Sequence, residues 1–139
     1  MITKSPEETK ELAKEFIRGL TGERPTIVEL IGDLGAGKTT FMSGVGEFLG
    51  VKESIISPTY LIQRNYSIAD GHPWKKLIHL DAYRIENENE LDGINWAEYS
   101  KDPDNIIFIE WPANMRIDIH PTHRIEFTHI SETEREIKF

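Results

Sequence analysis

Gly32-Asp33-Leu34-Gly35-Ala36-Gly37-Lys38-Thr39 satisfies the pattern G-x-x-x-x-G-K-[ST]. On its N-terminal side, Pro25-Thr26-Ile27-Val28-Glu29-Leu30-Ile31 reads as a buried strand. On its C-terminal side, Phe41, Met42, Val45, Phe48 and Leu49 keep helical spacing as far as Gly50, which marks a helix end. Strand, Gly-rich turn and helix, in that order, is the setting in which such a loop holds phosphate. Glycines let backbone N–H groups converge on phosphate oxygens, and the helix N-terminus adds the positive end of its dipole. Lys38 then reaches the β- and γ-phosphates, and the Thr39 hydroxyl is a ligand for Mg²⁺. A purely structural Gly-rich turn is the alternative, and both flanks argue against it.

Upstream, Ser5-Pro6-Glu7-Glu8 supplies an N-cap hydroxyl, a proline at the first helical position and a capping-box Glu. Leu12, Ala13, Phe16, Ile17 and Leu20 share one face of that helix, Glu11/Lys14 and Glu15/Arg18 pair on the other, and Gly22 lies just past its end. Downstream, Tyr60 to Ile68 alternates in polarity. Asp70-Gly71-His72-Pro73 is a turn and Leu77-Ile78-His79-Leu80 a short apolar strand, which together predict a hairpin. Between Glu86 and Asp104, Leu91, Ile94, Trp96 and Tyr99 are irregularly spaced, for a short helix and its connections. Ile106 to Ile109 is the next buried strand, and His123 to Ile130 with Glu136 to Phe139 predicts a closing hairpin. There is no internal repeat and no low-complexity linker.

A length of 139 residues with 38% hydrophobic content suits one domain spanning 1–139 with one compact core. Sixteen Lys plus Arg against 24 Asp plus Glu leave a net charge of -8, the wrong sign for gripping nucleic acid through counterion release. The absence of cysteine excludes disulfides, thiolate zinc sites and cysteine nucleophiles, and agrees with a reducing cytoplasm. With no long apolar run and a charged N-terminal stretch, the chain is expected to be soluble and unexported, without a membrane partner.

A phosphate-binding loop also needs a carboxylate at the end of a neighbouring buried strand to hold Mg²⁺, directly or through water. Glu110 follows one apolar strand and Asp81 another, and each would emerge where ligands bind in open α/β sheets. A solvated strand-end acid is the alternative for either. Ser57-Pro58-Thr59-Tyr60 reads as a γ-phosphate-sensing loop or as an ordinary Ser-Pro turn. Trp111-Pro112, directly after Glu110, borders the nucleotide, a partner surface or only the core. His120 and His123 lack a third ligand, so no metal site is assigned to them.

Four ordered blocks, GDLGAGKTTF at Gly32 to Phe41, Ser57 to Tyr60, His79-Leu80-Asp81-Ala82-Tyr83-Arg84 and Glu110-Trp111-Pro112, together resemble the TsaE (YjeE) family. The resemblance runs from about Ser5 to Pro112. It implies the ATPase component of bacterial tRNA threonylcarbamoyladenosine (t6A) biosynthesis, with TsaB and TsaD as partners and tRNA contacted only through their complex. It further implies that Gly35, Ala36, Gly37, Lys38, Thr39 and Thr40 hold the phosphates of ATP, and that Thr39 and Glu110 bind Mg²⁺. Asp81, with Lys38, then serves hydrolysis, and Thr9 of the first helix approaches the nucleoside. Asn95 replaces a family glycine, a position where Asn still tolerates a left-handed backbone. Beyond Pro112 the match is diffuse, and Arg135 is the residue taken as a later nucleotide contact.

The expected fold is a three-layer α/β P-loop NTPase, a mainly parallel central sheet with antiparallel hairpin additions. The expected function is a cytoplasmic Mg²⁺-dependent ATPase, weak alone and activated by partners, that drives multiple turnover of t6A formation. A small P-loop kinase is the alternative, though no clustered Arg-bearing lid segment is present. A GTP-dependent switch would show N-K-x-D, which is absent.

Overall fold

The computed structural model describes residues 1–20, 25–55, 63–86 and 95–139. In chain order the elements are β1 (Ile2–Thr3), α1 (Pro6–Arg18), β2 (Thr26–Ile31), α2 (Lys38–Phe48), β3 (Gln63–Ser67), β4 (Lys76–Asp81), α3 (Trp96–Tyr99), β5 (Asn105–Glu110), a 3₁₀ turn (Pro112–Met115), β6 (His123–His129) and β7 (Arg135–Lys138). Among the described residues seven strands form one sheet, in the order β1-β7-β6-β2-β5-β4-β3. The four middle strands, β6, β2, β5 and β4, run parallel. Antiparallel partners finish both rims: β3 on β4, and β7 then β1 beyond β6.

Parallel strands covered on both faces read as near-continuous apolar runs, and here the alternation within each run sorts side chains between two cores. Val28, Leu30, Leu77, Ile106, Phe108, Ile125 and Phe127 face α1 and α2. Ile27, Ile78, Leu80, Ile107 and Ile109 face the other way, towards Met115 of the 3₁₀ turn and the rings of Trp96, Tyr99 and Trp111. Among the described residues the helical cover is unequal, with two long helices on one face and short turns on the other. α1 and α2 meet where α2 is narrowest: a Cβ at Gly44 would stand 2.6 Å from the Lys10 carbonyl oxygen and 2.7 Å from its Cα. Phe16 of α1 closes that layer, with its ring 6.0 Å from Phe41 and 5.2 Å from Phe139.

Several expectations are sharpened. α1 starts as predicted, with the Glu8 N–H donating to the Ser5 hydroxyl at 3.2 Å, but Glu8 reaches back to the N–H of Lys4 at 2.7 Å. It stops at Arg18 with Gly19 as its cap, earlier than the position next to Gly22 that the sequence suggests. Arg18 lies over the Phe48 ring, 5.3 Å from its centroid. The sheet is mixed more evenly than "mainly parallel" implies, because each rim is antiparallel. β6 does more than close a hairpin: it pairs in parallel with β2, and β1, unread in the sequence, pairs with β7. Asn95 does adopt the left-handed backbone, at φ 53°. Ser57 to Tyr60, Leu91 and Ile94 lie outside the described residues. Among the described residues no helix is long and apolar enough to cross a membrane.

Candidate active site

β2 delivers the loop 32–37 to the start of α2, and the chain turns there through Gly37, at φ 106°, a conformation that costs a residue with a Cβ. Gly32 is needed for a different reason: a Cβ on it would lie 2.7 Å from the carbonyl oxygen of Phe127 in β6. α2 has no side-chain cap and no acid in its first turn. Its leading N–H groups are therefore offered outward with the positive end of the dipole, which suits an anion. Thr39 and Thr40 sit in that first turn, whereas Ala36 is buried and donates its N–H to the Asp33 carbonyl at 3.1 Å.

Lys38 and Glu110 are the buried charges at the centre, each 4% exposed. The Lys38 ammonium donates to the Gly32 carbonyl at 2.5 Å, stands 3.8 Å from Glu110 Oε1 and lies 4.6 Å from the centroid of the Trp111 ring. Trp111 is held there by a left-handed backbone, φ 55°, uncommon for so bulky a residue, and packs on Tyr83 at 5.1 Å.

Strand register brings the two predicted carboxylates together. Leu30 pairs with Glu110, and Glu110 with Asp81, so the ends of β2, β5 and β4 align beside the loop. Asp81 accepts the Tyr83 N–H at 2.9 Å. Burial, aided by the negative charge of Glu110, pushes the Asp81 carboxyl above its ordinary value, against the opposing pull of the Tyr83 N–H, His79 and Lys38.

A cavity of about 160 Å³ opens on the other side of the loop, between Thr9 of α1, Gly35, Gly37, Thr40 and Arg135 of β7. Arg135 Nε donates to the Gly35 carbonyl at 3.2 Å, and the Thr9 hydroxyl is paired with that of Thr3 at 2.7 Å. Thr9 and Arg135, far apart in the chain, thus share one pocket with the loop. His79 was not foreseen: its Nε2 is 2.7 Å from Glu110 Oε2. The signal was a histidine inside an otherwise apolar strand, two positions before an acid and therefore on the same face.

The family model described as "Threonylcarbamoyl adenosine biosynthesis protein TsaE" matches residues 3–137. The chain belongs to the TsaE family. A Bacillus subtilis (strain 168) protein named tRNA threonylcarbamoyladenosine biosynthesis protein TsaE is 37% identical over 139 residues, covering 99% of this chain and 82% of that one. The TsaE of Aquifex aeolicus (strain VF5) is 36% identical over 119 residues, covering 79% of this chain and 85% of its own. The crystal structure of Bacillus subtilis YdiB superposes with a TM-score of 0.74 at 30% identity, covering 99% of this chain and 80% of that one. Membership of TsaE ties the chain to t6A biosynthesis, the process these relatives are named for.

Proposed function

We propose that this TsaE protein binds ATP with Mg²⁺ on the loop 32–40 and hydrolyses it to drive t6A formation by TsaB and TsaD in the cytoplasm. The observation that carries the proposal is the register of β2, β5 and β4, which sets Asp81 and Glu110 side by side next to Lys38 and a bare helix N-terminus. A hydroxyl and carboxylates are hard oxygen donors of the kind Mg²⁺ takes, so the residues fit the ion, with Thr39 and Glu110 as its protein ligands. Bound there, Mg²⁺ would neutralise phosphate charge and polarise the γ-phosphoryl group.

The chain's own residues do the rest. The amides of Gly35 to Thr40 orient the phosphates, Ala36 serving there as part of the loop's frame. Lys38 exchanges the Gly32 carbonyl for phosphate oxygens and counters charge as the γ-phosphate leaves. Asp81, half-buried and with a raised affinity for a proton, accepts a hydrogen bond from the attacking water. Thr9 and Arg135 face the nucleoside side of the loop, where their shared cavity lies. tRNA is contacted through the partners, in keeping with the net charge of -8.

The test is calorimetry of ATP with Mg²⁺ on wild type and Lys38→Ala. Loss of binding by about one to two orders of magnitude is expected when a buried charge-assisted contact of about 1.5–3 kcal/mol is deleted. Unchanged affinity would refute the site.

A further inference from the structure

His79 occupies the centre of β4, fully buried, on the face it shares with Leu77 and Asp81. One ring nitrogen meets Glu110 Oε2 at 2.7 Å. The other, Nδ1, is buried and has no hydrogen-bond partner among the described residues. Among the described residues nothing would receive a proton on Nδ1, which would then be a buried donor without an acceptor, so the ring proton is assigned to Nε2, where Glu110 accepts it. That choice divides the two oxygens of one carboxylate. Oε2 is held by the imidazole, and Oε1 is the oxygen that faces the Lys38 ammonium, at 3.8 Å.

We propose that His79 is a positioning residue, whose Nε2–H locks the Glu110 carboxylate so that Oε1 alone is turned towards Lys38 and the metal–phosphate side. The proposal rests on the Mg²⁺-nucleotide reading given above. A hydrogen bond to one oxygen of a ligating carboxylate fixes its orientation, and a ligand so anchored has less freedom to lose when the ion arrives. The β-ladder makes the anchor rigid: His79 pairs with Phe108 and Asp81 with Glu110, so the imidazole and the carboxylate stand one step apart along the same face of adjacent strands. A histidine kept only to fill the core would affect stability and leave the ion alone.

The experiment uses the full chain and three proteins: wild type, His79→Gln and His79→Leu. Gln places its amide nitrogen the same number of bonds from Cα as imidazole Nε2 and keeps the donor; Leu fills space without one. ADP binding is measured by calorimetry in Mg²⁺ and again in EDTA. We expect Leu to weaken binding about ten- to a hundredfold in Mg²⁺ and to leave binding in EDTA unchanged, with Gln restoring most of the difference. Equal loss in Gln and Leu, or no loss in either, overturns the proposal. Nitrogen-15 imidazole spectra of the wild type give a readout that needs neither variant nor nucleotide: protonation at Nε2 supports the anchor, and protonation at Nδ1 overturns it. If Leu does not fold, Gln against wild type and the tautomer decide. ADP binding by the wild type that ignores Mg²⁺ defeats the Mg²⁺-nucleotide reading instead, and the tautomer still rules on the His79–Glu110 anchor.

Discussion

Asp81 sits where chemistry and stability pull apart. Its carboxyl is raised above the ordinary value chiefly by burial, so the folded state holds that proton more tightly than the unfolded chain does. The stability this provides is fully present below the ordinary carboxylate pKa and is lost as pH rises through the folded value. Near neutral pH the ionised group is therefore a burden on the fold. Asp81→Asn, which keeps an oxygen to accept the Tyr83 N–H, is expected to melt higher than wild type at about pH 7, with the gap closing towards about pH 4. The same change should slow ATP hydrolysis while nucleotide binding persists. A variant less stable at neutral pH, or one that hydrolyses as fast as wild type in saturating Mg²⁺, would count against this assignment.

At the scale of elements, the α1–α2 layer holds the loop from behind, and Gly44 sets its spacing. Gly44→Ala gains helix propensity of about 1 kcal/mol but drives a Cβ into the backbone of Lys10, which cannot swing aside as a side chain would. A net loss of about 1–2 kcal/mol in urea denaturation is expected; a variant as stable as wild type would show that α1 retreats freely. The local parts of this architecture were legible in the sequence. Ser5 and Pro6 announce α1, and the flanks of Gly32 to Thr39 announce β2 and α2, because caps and periodicity act over a few residues. The juxtapositions were not. His79 and Glu110 are 31 positions apart and Arg135 and Gly35 are 100, and only strand order and register bring each pair into contact. The sequence identifies Asp81 and Glu110 as strand-end acids without saying that their strands are neighbours. β1 escapes notice because two residues carry no periodicity, and only its ladder with β7 defines it.

Over the whole molecule, a net charge of -8 and the proposed phosphate site suit a component that signals through protein contacts. Hydrolysis can be coupled to TsaB and TsaD only if they distinguish the nucleotide states, since equal affinity for both would shift nothing. Trp111 stacks its ring on the Lys38 ammonium and packs against Tyr83, which is exposed, so the proposed phosphate site is joined by direct contact to an aromatic pair that reaches the surface. A TsaB–TsaD complex is expected to bind the ATP-loaded chain at least about tenfold more tightly than the ADP-loaded chain, a coupling of about 1.4 kcal/mol. The isolated chain should bind tRNA weakly at physiological salt. Surface-plasmon measurements with a non-hydrolysable ATP analogue and with ADP check the first, and filter binding the second. Indifference of the partners to the nucleotide would break the coupling and spare the ATPase.

The sheet order also dictates when the molecule can begin to work during its own synthesis. β2 and β4 are both made before β5, yet they never touch: β5 lies between them and hydrogen-bonds to each. A growing chain that has left the ribosome only as far as β4 already contains Lys38 and Asp81, but no strand spans the gap that separates them. β6 and β7, which back the loop through Phe127 and Arg135, come later still. Loop closures this long delay the pairing that rewards them. Until the last strands emerge, a nascent chain carries half of the proposed nucleotide site with unpaired parallel edges exposed, which is when it is most open to association with its neighbours on the same message.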